Sequence, residues 1–70
     1  MTNTLRVERA IKHITQQQLA EAIGVSRQTI NAIESGKYVP STLLALKISE
    51  AFGKTVNEIF TLEESDKAKT

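Results

Sequence analysis

The chain has 70 residues, with 9 Lys+Arg, 8 Asp+Glu, one His, no Cys and a formal net charge of +1. That length permits one domain with a modest core, and the lack of Cys excludes disulfides and thiolate metal sites. No apolar run approaches the roughly 20 residues of a membrane span, and no signal-peptide pattern opens the chain. A cytoplasmic helical protein is expected, because alternation at strand period is confined to the chain ends.

In chain order, a first helix is expected over residues 4–12, with Val7 and Ile11 as an outward i,i+4 pair. His13 follows as a solvated helix end or C-cap; as the sole His, with no Cys to join it, it does not read as a metal ligand. Thr15 and Gln18 form a capping box opening a second helix over 16–23, with Leu19, Ala20 and Ile23 on one face. Gly24 stops it. Ser26, with Thr29 three residues on, opens a third helix over 27–35, with Ile30 and Ile33 inward, and Gly36 follows. Ser41, after Pro40, caps a fourth helix over 42–52, in which Leu43, Leu44, Leu46, Ile48, Ala51 and Phe52 are available for burial. After Gly53, Thr55 and Glu58 form a second capping box for a short helix over 56–60, with Val56, Ile59 and Phe60 inward.

The charge divides unevenly. Residues 1–57 carry seven basic and four acidic side chains, net +3, and residues 58–70 carry two and four, net −2. The organisation expected is a folded domain over 1–62 and an acidic, flexible tail over 63–70.

Only Gly24-Val25-Ser26 separates the second and third helices. So short a turn crosses the helices steeply and makes a helix-turn-helix over residues 16–35. With Ile30 and Ile33 inward, Arg27, Gln28 and Asn31 face out. Arg can bridge guanine O6 and N7, and Gln or Asn can bridge adenine N6 and N7. Taken alone, such a face suits solvent as well as it suits DNA. Ser26 and Thr29 offer hydroxyls to phosphate, as does a helix N-terminus its free amides. Thr15, Ser26 and Ser41 are explained as caps. No nucleophile–base arrangement, paired-carboxylate cleft or Gly-rich phosphate loop is present, so neither enzyme nor cofactor is expected.

The segments Thr15-Gln16-x-x-Leu19-Ala20, Gly24-Val25-Ser26-Arg27-Gln28-Thr29-Ile30, Ile33-Glu34-Ser35-Gly36-Lys37-Tyr38-x-Pro40-Ser41 and Leu44-Ala45-Leu46-Lys47-Ile48 carry a resemblance. From about Leu5 to Phe60 the chain resembles the Xre/Cro family of bacterial and phage helix-turn-helix regulators, related to the lambda-type repressors. The resemblance implies an all-α bundle of five helices, double-stranded DNA as partner, a homodimer on a palindromic operator, and transcriptional regulation, most often repression. It implies base reading by Arg27, Gln28 and Asn31, with Gln16, Ser26, Thr29 and Lys37 on the DNA backbone and Tyr38 beside them; Gln17 is grouped with these positioning residues. It also implies a structural salt bridge between Arg9 and Glu34. Glu8 departs from the family, many members of which are apolar there. Some small members pair their chain ends as a β-ribbon, which Phe60-Thr61-Leu62 can do with residues 1–3. The dimer face is expected at Ile59, Phe60 and Leu62, because two DNA faces related by a two-fold axis need an apolar contact. An antitoxin or restriction-control protein of the same fold, or a protein-interaction regulator without operator binding, are the alternatives. No metal, membrane or small-molecule partner is expected.

Overall fold

A computed structural model describes residues 1–67. The elements are β1 (Thr2–Asn3), α1 (Leu5–Lys12), α2 (Gln16–Ile23), α3 (Arg27–Glu34), α4 (Thr42–Phe52), α5 (Val56–Ile59), β2 (Phe60–Thr61) and a final turn of helix, α6 (Glu64–Lys67). Helices α1 to α5 surround one core of Leu5, Leu19, Ala20, Ile23, Ile30, Ile33, Ile48, Phe52, Ile59 and Phe60. Among the described residues, no helix is long and apolar enough to cross a membrane.

Local chemistry sets the helix starts. Thr15 Oγ1 accepts from Gln18 N at 3.0 Å while Gln18 Oε1 accepts from Thr15 N at 2.8 Å, and Thr55 and Glu58 repeat the exchange at 3.2 and 2.8 Å. Each box satisfies two backbone donors that the first turn leaves without partners. Ser41 Oγ caps α4 by accepting from Leu44 N at 3.2 Å. At the other end of α1, His13 takes the left-handed conformation, φ 56°, as its C-cap.

Three boundaries differ by a residue from the sequence expectation. Helix α1 begins at Leu5, because Thr4 leaves helical geometry and donates its N–H to Ile59 O at 2.9 Å. Helix α3 ends at Glu34, with Ser35 as its C-cap. Helix α5 ends at Ile59, because Phe60 turns extended to enter β2. The ribbon forms as an antiparallel pair with Thr2 opposite Thr61 and Asn3 opposite Phe60, and Leu62 lies outside it. Asn3 anchors this ribbon to the motif: its Nδ2 donates to Ile33 O at 2.9 Å and its Oδ1 accepts from Leu5 N at 3.1 Å.

Two further expectations are corrected. Residues 64–67 form a helical turn rather than a frayed tail, held by the Met1 ammonium at 2.7 Å from both Glu63 Oε1 and Asp66 Oδ2; residues 68–70 of the expected tail lie outside the described residues. Leu43 and Leu46 do not join the core. Helix α4 is apolar on more than one face, and only the stripe through Ile48 and Phe52 packs inward, leaving Leu43 and Leu46 exposed.

Candidate nucleic-acid interface

The angle between α2 and α3 is set at Gly24. Its φ of 80° is a conformation that side chains beyond glycine rarely adopt. There Gly24 N and Val25 N both donate to Ala20 O, at 2.9 and 3.0 Å, closing α2 in about one residue. Val25 packs half-buried against the core beneath the turn. Ala20, fully buried, lets the helices approach.

Ser26 then caps α3. Its Oγ accepts from Thr29 N at 3.1 Å and lies 3.0 Å from Thr29 Oγ1. One hydroxyl donates to the other, so the pair retains one O–H donor facing outward at the N-terminus of α3. Buried Ile30 and Ile33 fix the rotation of this helix. The opposite side presents Arg27, Gln28 and Asn31, all exposed. These three join Ala32 and Lys37 around a shallow concavity of about 170 Å³. Lys37 reaches it because Gly36, at φ 79°, reverses the chain, and Lys37 N and Tyr38 N both donate to Ala32 O, at 2.9 and 3.2 Å. Tyr38 stands exposed beside it. Within the described residues, the side chains of Arg27, Gln28, Asn31 and Lys37 make no hydrogen bond or ion pair. Two cations and two amides are thus held out with their full donor and acceptor capacity unspent.

At the C-terminal end of α3 sits a shared carboxylate. The Glu34 side chain is 2% exposed. Arg9 grips it through Nε and through Nη2, the latter at 3.1 Å, and also donates from Nη1 to Ile14 O at 3.1 Å. This bonding to Glu34 pushes the already high Arg9 pKa up. Gln16 Nε2 donates to Glu34 Oε1 at 3.1 Å, and the exposed Arg6 approaches the same oxygen at 3.9 Å. Gln16 therefore has one amide hydrogen turned inward, with its remaining hydrogen and its carbonyl available at the first turn of α2. Gln17 Nε2 bonds Glu21 Oε2 at 3.1 Å along the helix surface.

Residues 5–59 match the Helix-turn-helix family. The chain belongs to the Xre/lambda-repressor-like helix-turn-helix family of DNA-binding transcriptional regulators. An uncharacterized HTH-type transcriptional regulator of Methanocaldococcus jannaschii is 50% identical over 66 residues, covering 94% of this chain and 100% of its own length. An uncharacterized HTH-type transcriptional regulator of Bacillus subtilis is 48% identical, with the same coverage of 94% and 100%. The HTH-type transcriptional activator BcrR of Enterococcus faecalis is 43% identical over 53 residues, which are 76% of this chain and 26% of that protein.

One group of expected site residues needs correction within this helix-turn-helix chain. Ile59 is 0% and Phe60 7% exposed, so neither offers a surface to a second copy. Their apolar side chains are consumed by the monomer's own core, and of the three residues only Leu62 remains exposed. The sequence reading also missed Asn3, whose tie to α3 no periodicity announces, and the part of Arg6 in the charge cluster at Glu34.

Proposed function

We propose that this chain is a sequence-specific, homodimeric repressor acting in the cytoplasm, with α3 in the major groove of a palindromic operator. The observation that carries this reading is the row Arg27, Gln28 and Asn31, exposed on a helix whose rotation is fixed by Ile30 and Ile33 and bonded to nothing else among the described residues. Lys37 and the Ser26–Thr29 hydroxyl pair flank the row and suit phosphate. Gln16 joins them through its outward amide groups, Gln17 stands next to it on the same turn, and Tyr38 supplies a hydroxyl at the far edge. Two copies then read half-sites about 34 Å apart, one helical turn.

Repression needs nothing beyond occupancy of a site that polymerase must use. The activator among the relatives matches over only 26% of its own length, so the remainder of that protein is outside the comparison. Selection of bound fragments from a random DNA pool tests the reading, with a reporter placed behind the selected site. A palindrome and a fall in reporter expression support it. A selected site bound equally well by wild type, Arg27→Ala and Gln28→Ala overturns the recognition-helix assignment, and a rise in expression overturns repression.

A further inference from the structure

Arg6 stands on α1, outside the helix-turn-helix, with its side chain 79% exposed. Its nearest polar partner is Glu34 Oε1, 3.9 Å from Nε, which is too far for a hydrogen bond. Most basic side chains in residues 1–57 are engaged within the fold. Arg9 donates to Glu34, Lys12 to Ala51 O, Lys47 to Ile23 O and Lys54 to Glu8. The remaining three, Arg6, Arg27 and Lys37, donate to nothing among the described residues. Arg27 and Lys37 belong to the recognition face, so Arg6 sorts with them by its free donors and not with its neighbours on α1.

Glu34 does not depend on Arg6. Arg9 holds both of its oxygens, through Nε and Nη2, and Gln16 donates to Oε1 at 3.1 Å. Two guanidinium charges therefore share one carboxylate, and Arg6 carries the surplus at the surface. No nearby acid cancels it. Glu8, also on α1, is buried and held by Lys54 at 2.8 Å. Glu63, which borders a concavity with Glu34, is held by the Met1 ammonium at 2.7 Å.

Position decides which anion Arg6 meets. Gln16 Nε2 and Arg6 Nε approach the same Glu34 oxygen, so they lie no farther apart than those 3.1 and 3.9 Å taken together. Gln16 opens α2, at the edge of the surface proposed to lie on the DNA backbone. A guanidinium there offers five donors in a planar fork that matches the oxygens of a phosphate.

We infer that Arg6 is a further DNA-positioning residue, taking a phosphate beside the one that Gln16 grips and carrying the footprint from the helix-turn-helix onto α1. This rests on the placement of α2 and α3 on DNA proposed above and adds a contact to it. In the free protein Glu34 keeps the guanidinium close by while leaving its donors available. Titration of duplex DNA at several salt concentrations tests the contact, with wild type, Arg6→Ala, Arg6→Lys and Lys37→Ala, alongside urea unfolding of each. Each phosphate contact adds about 0.9 to the slope of log affinity against log salt. Arg6→Ala should lower that slope by about 0.9 on the selected operator and on unrelated duplex alike. Its deficit against wild type should shrink about 3.5-fold between roughly 50 and 200 mM salt. Arg6→Lys keeps a cation and should keep the slope. The unfolding midpoint of Arg6→Ala should match wild type, since Arg9 and Gln16 still hold Glu34. A wild-type slope in Arg6→Ala overturns the contact, and a lowered unfolding midpoint with it makes Arg6 a partner of Glu34 alone. A slope lowered by Lys37→Ala in the same series leaves the DNA placement standing. A wild type with no salt-dependent affinity for any duplex overturns that placement and this contact together.

Discussion

Gln16 Nε2 donates to Glu34 Oε1 at 3.1 Å, so the first turn of α2 shares one buried carboxylate with Arg9 of α1. Glu34 is the last residue of α3. One side chain therefore fixes the relative position of three helices, from the C-terminal end of the helix that carries Arg27, Gln28 and Asn31. The helix that would read bases and the helix that would grip the DNA backbone are registered through this carboxylate, not through the turn alone.

Removing Arg9 should be costly for that reason. Glu34 would keep its charge at 2% exposure with only the Gln16 amide and a distant Arg6 facing it. Arg9→Met is expected to destabilise the fold by about 3–5 kcal/mol in urea unfolding, as for other buried pairs broken on one side. Arg9→Met with Glu34→Met should recover most of that loss, since replacing both partners with apolar groups leaves no charge stranded. Equal losses in the single and double variants would show that packing, not charge, is what Arg9 contributes.

The recognition face should behave in the opposite way. Arg27, Gln28 and Lys37 have no partner among the described residues, so their alanine variants should unfold within about 0.5 kcal/mol of wild type. On the selected operator, Gln28→Ala should lower discrimination at one base pair by about 1–3 kcal/mol. Lys37→Ala should weaken all sequences alike and reduce the slope of log affinity against log salt by about 1. Competition titrations at several salt concentrations separate the two behaviours.

Glu8 shows where the sequence stops being legible. An acidic residue there breaks the apolar pattern of α1, and no local rule says what it does. In the fold it is buried and accepts from Lys54 Nζ at 2.8 Å, a partner 46 residues away, whose pKa that hydrogen bond raises. Lys54→Met should therefore lower the melting temperature, and Lys54→Met with Glu8→Met should restore it; thermal unfolding of both variants checks this. The caps at Thr15, Ser26, Ser41 and Thr55, the glycine stops and the outward row on α3 were readable because each depends on neighbours within about one turn. The exposure of Leu43 and Leu46 was not readable. A helix apolar on several faces does not announce which one the rest of the fold will cover. The inward side of Ile59 and Phe60 was readable from the pattern of α5, but that α4 and β1 would cover them so fully was not.

Gly24 separates backbone strain from crowding. A Cβ placed on it would meet nothing within 4 Å, so its φ of 80° is the sole obstacle to a larger residue. Gly24→Ala should cost about 1–2 kcal/mol, the price of a left-handed alanine, and Gly24→Asn less, since Asn tolerates that region. A loss well beyond that range in either variant would mean that the α2–α3 crossing itself had shifted, which altered DNA binding would reveal.

Acid should loosen α5 more than α2, although both helices begin with a capping box. The α2 box uses Gln18, which does not titrate, and the α5 box uses Glu58. Bonds from the Thr55 backbone and side chain hold the Glu58 carboxyl below its ordinary value, with Lys54 adding to the effect. A carboxyl whose pKa is depressed by folding stabilises the native state above its unfolded value, about 4.3 for Glu. That contribution fades as pH falls through the depressed folded value. Glu58→Gln gives α5 the chemistry that α2 already has, keeping an acceptor for Thr55 N without a proton to gain. Melting temperatures of wild type and Glu58→Gln, compared at neutral pH and near pH 3, should show a smaller acid-induced fall in the variant. Parallel falls in the two proteins would place the acid sensitivity in other carboxylates.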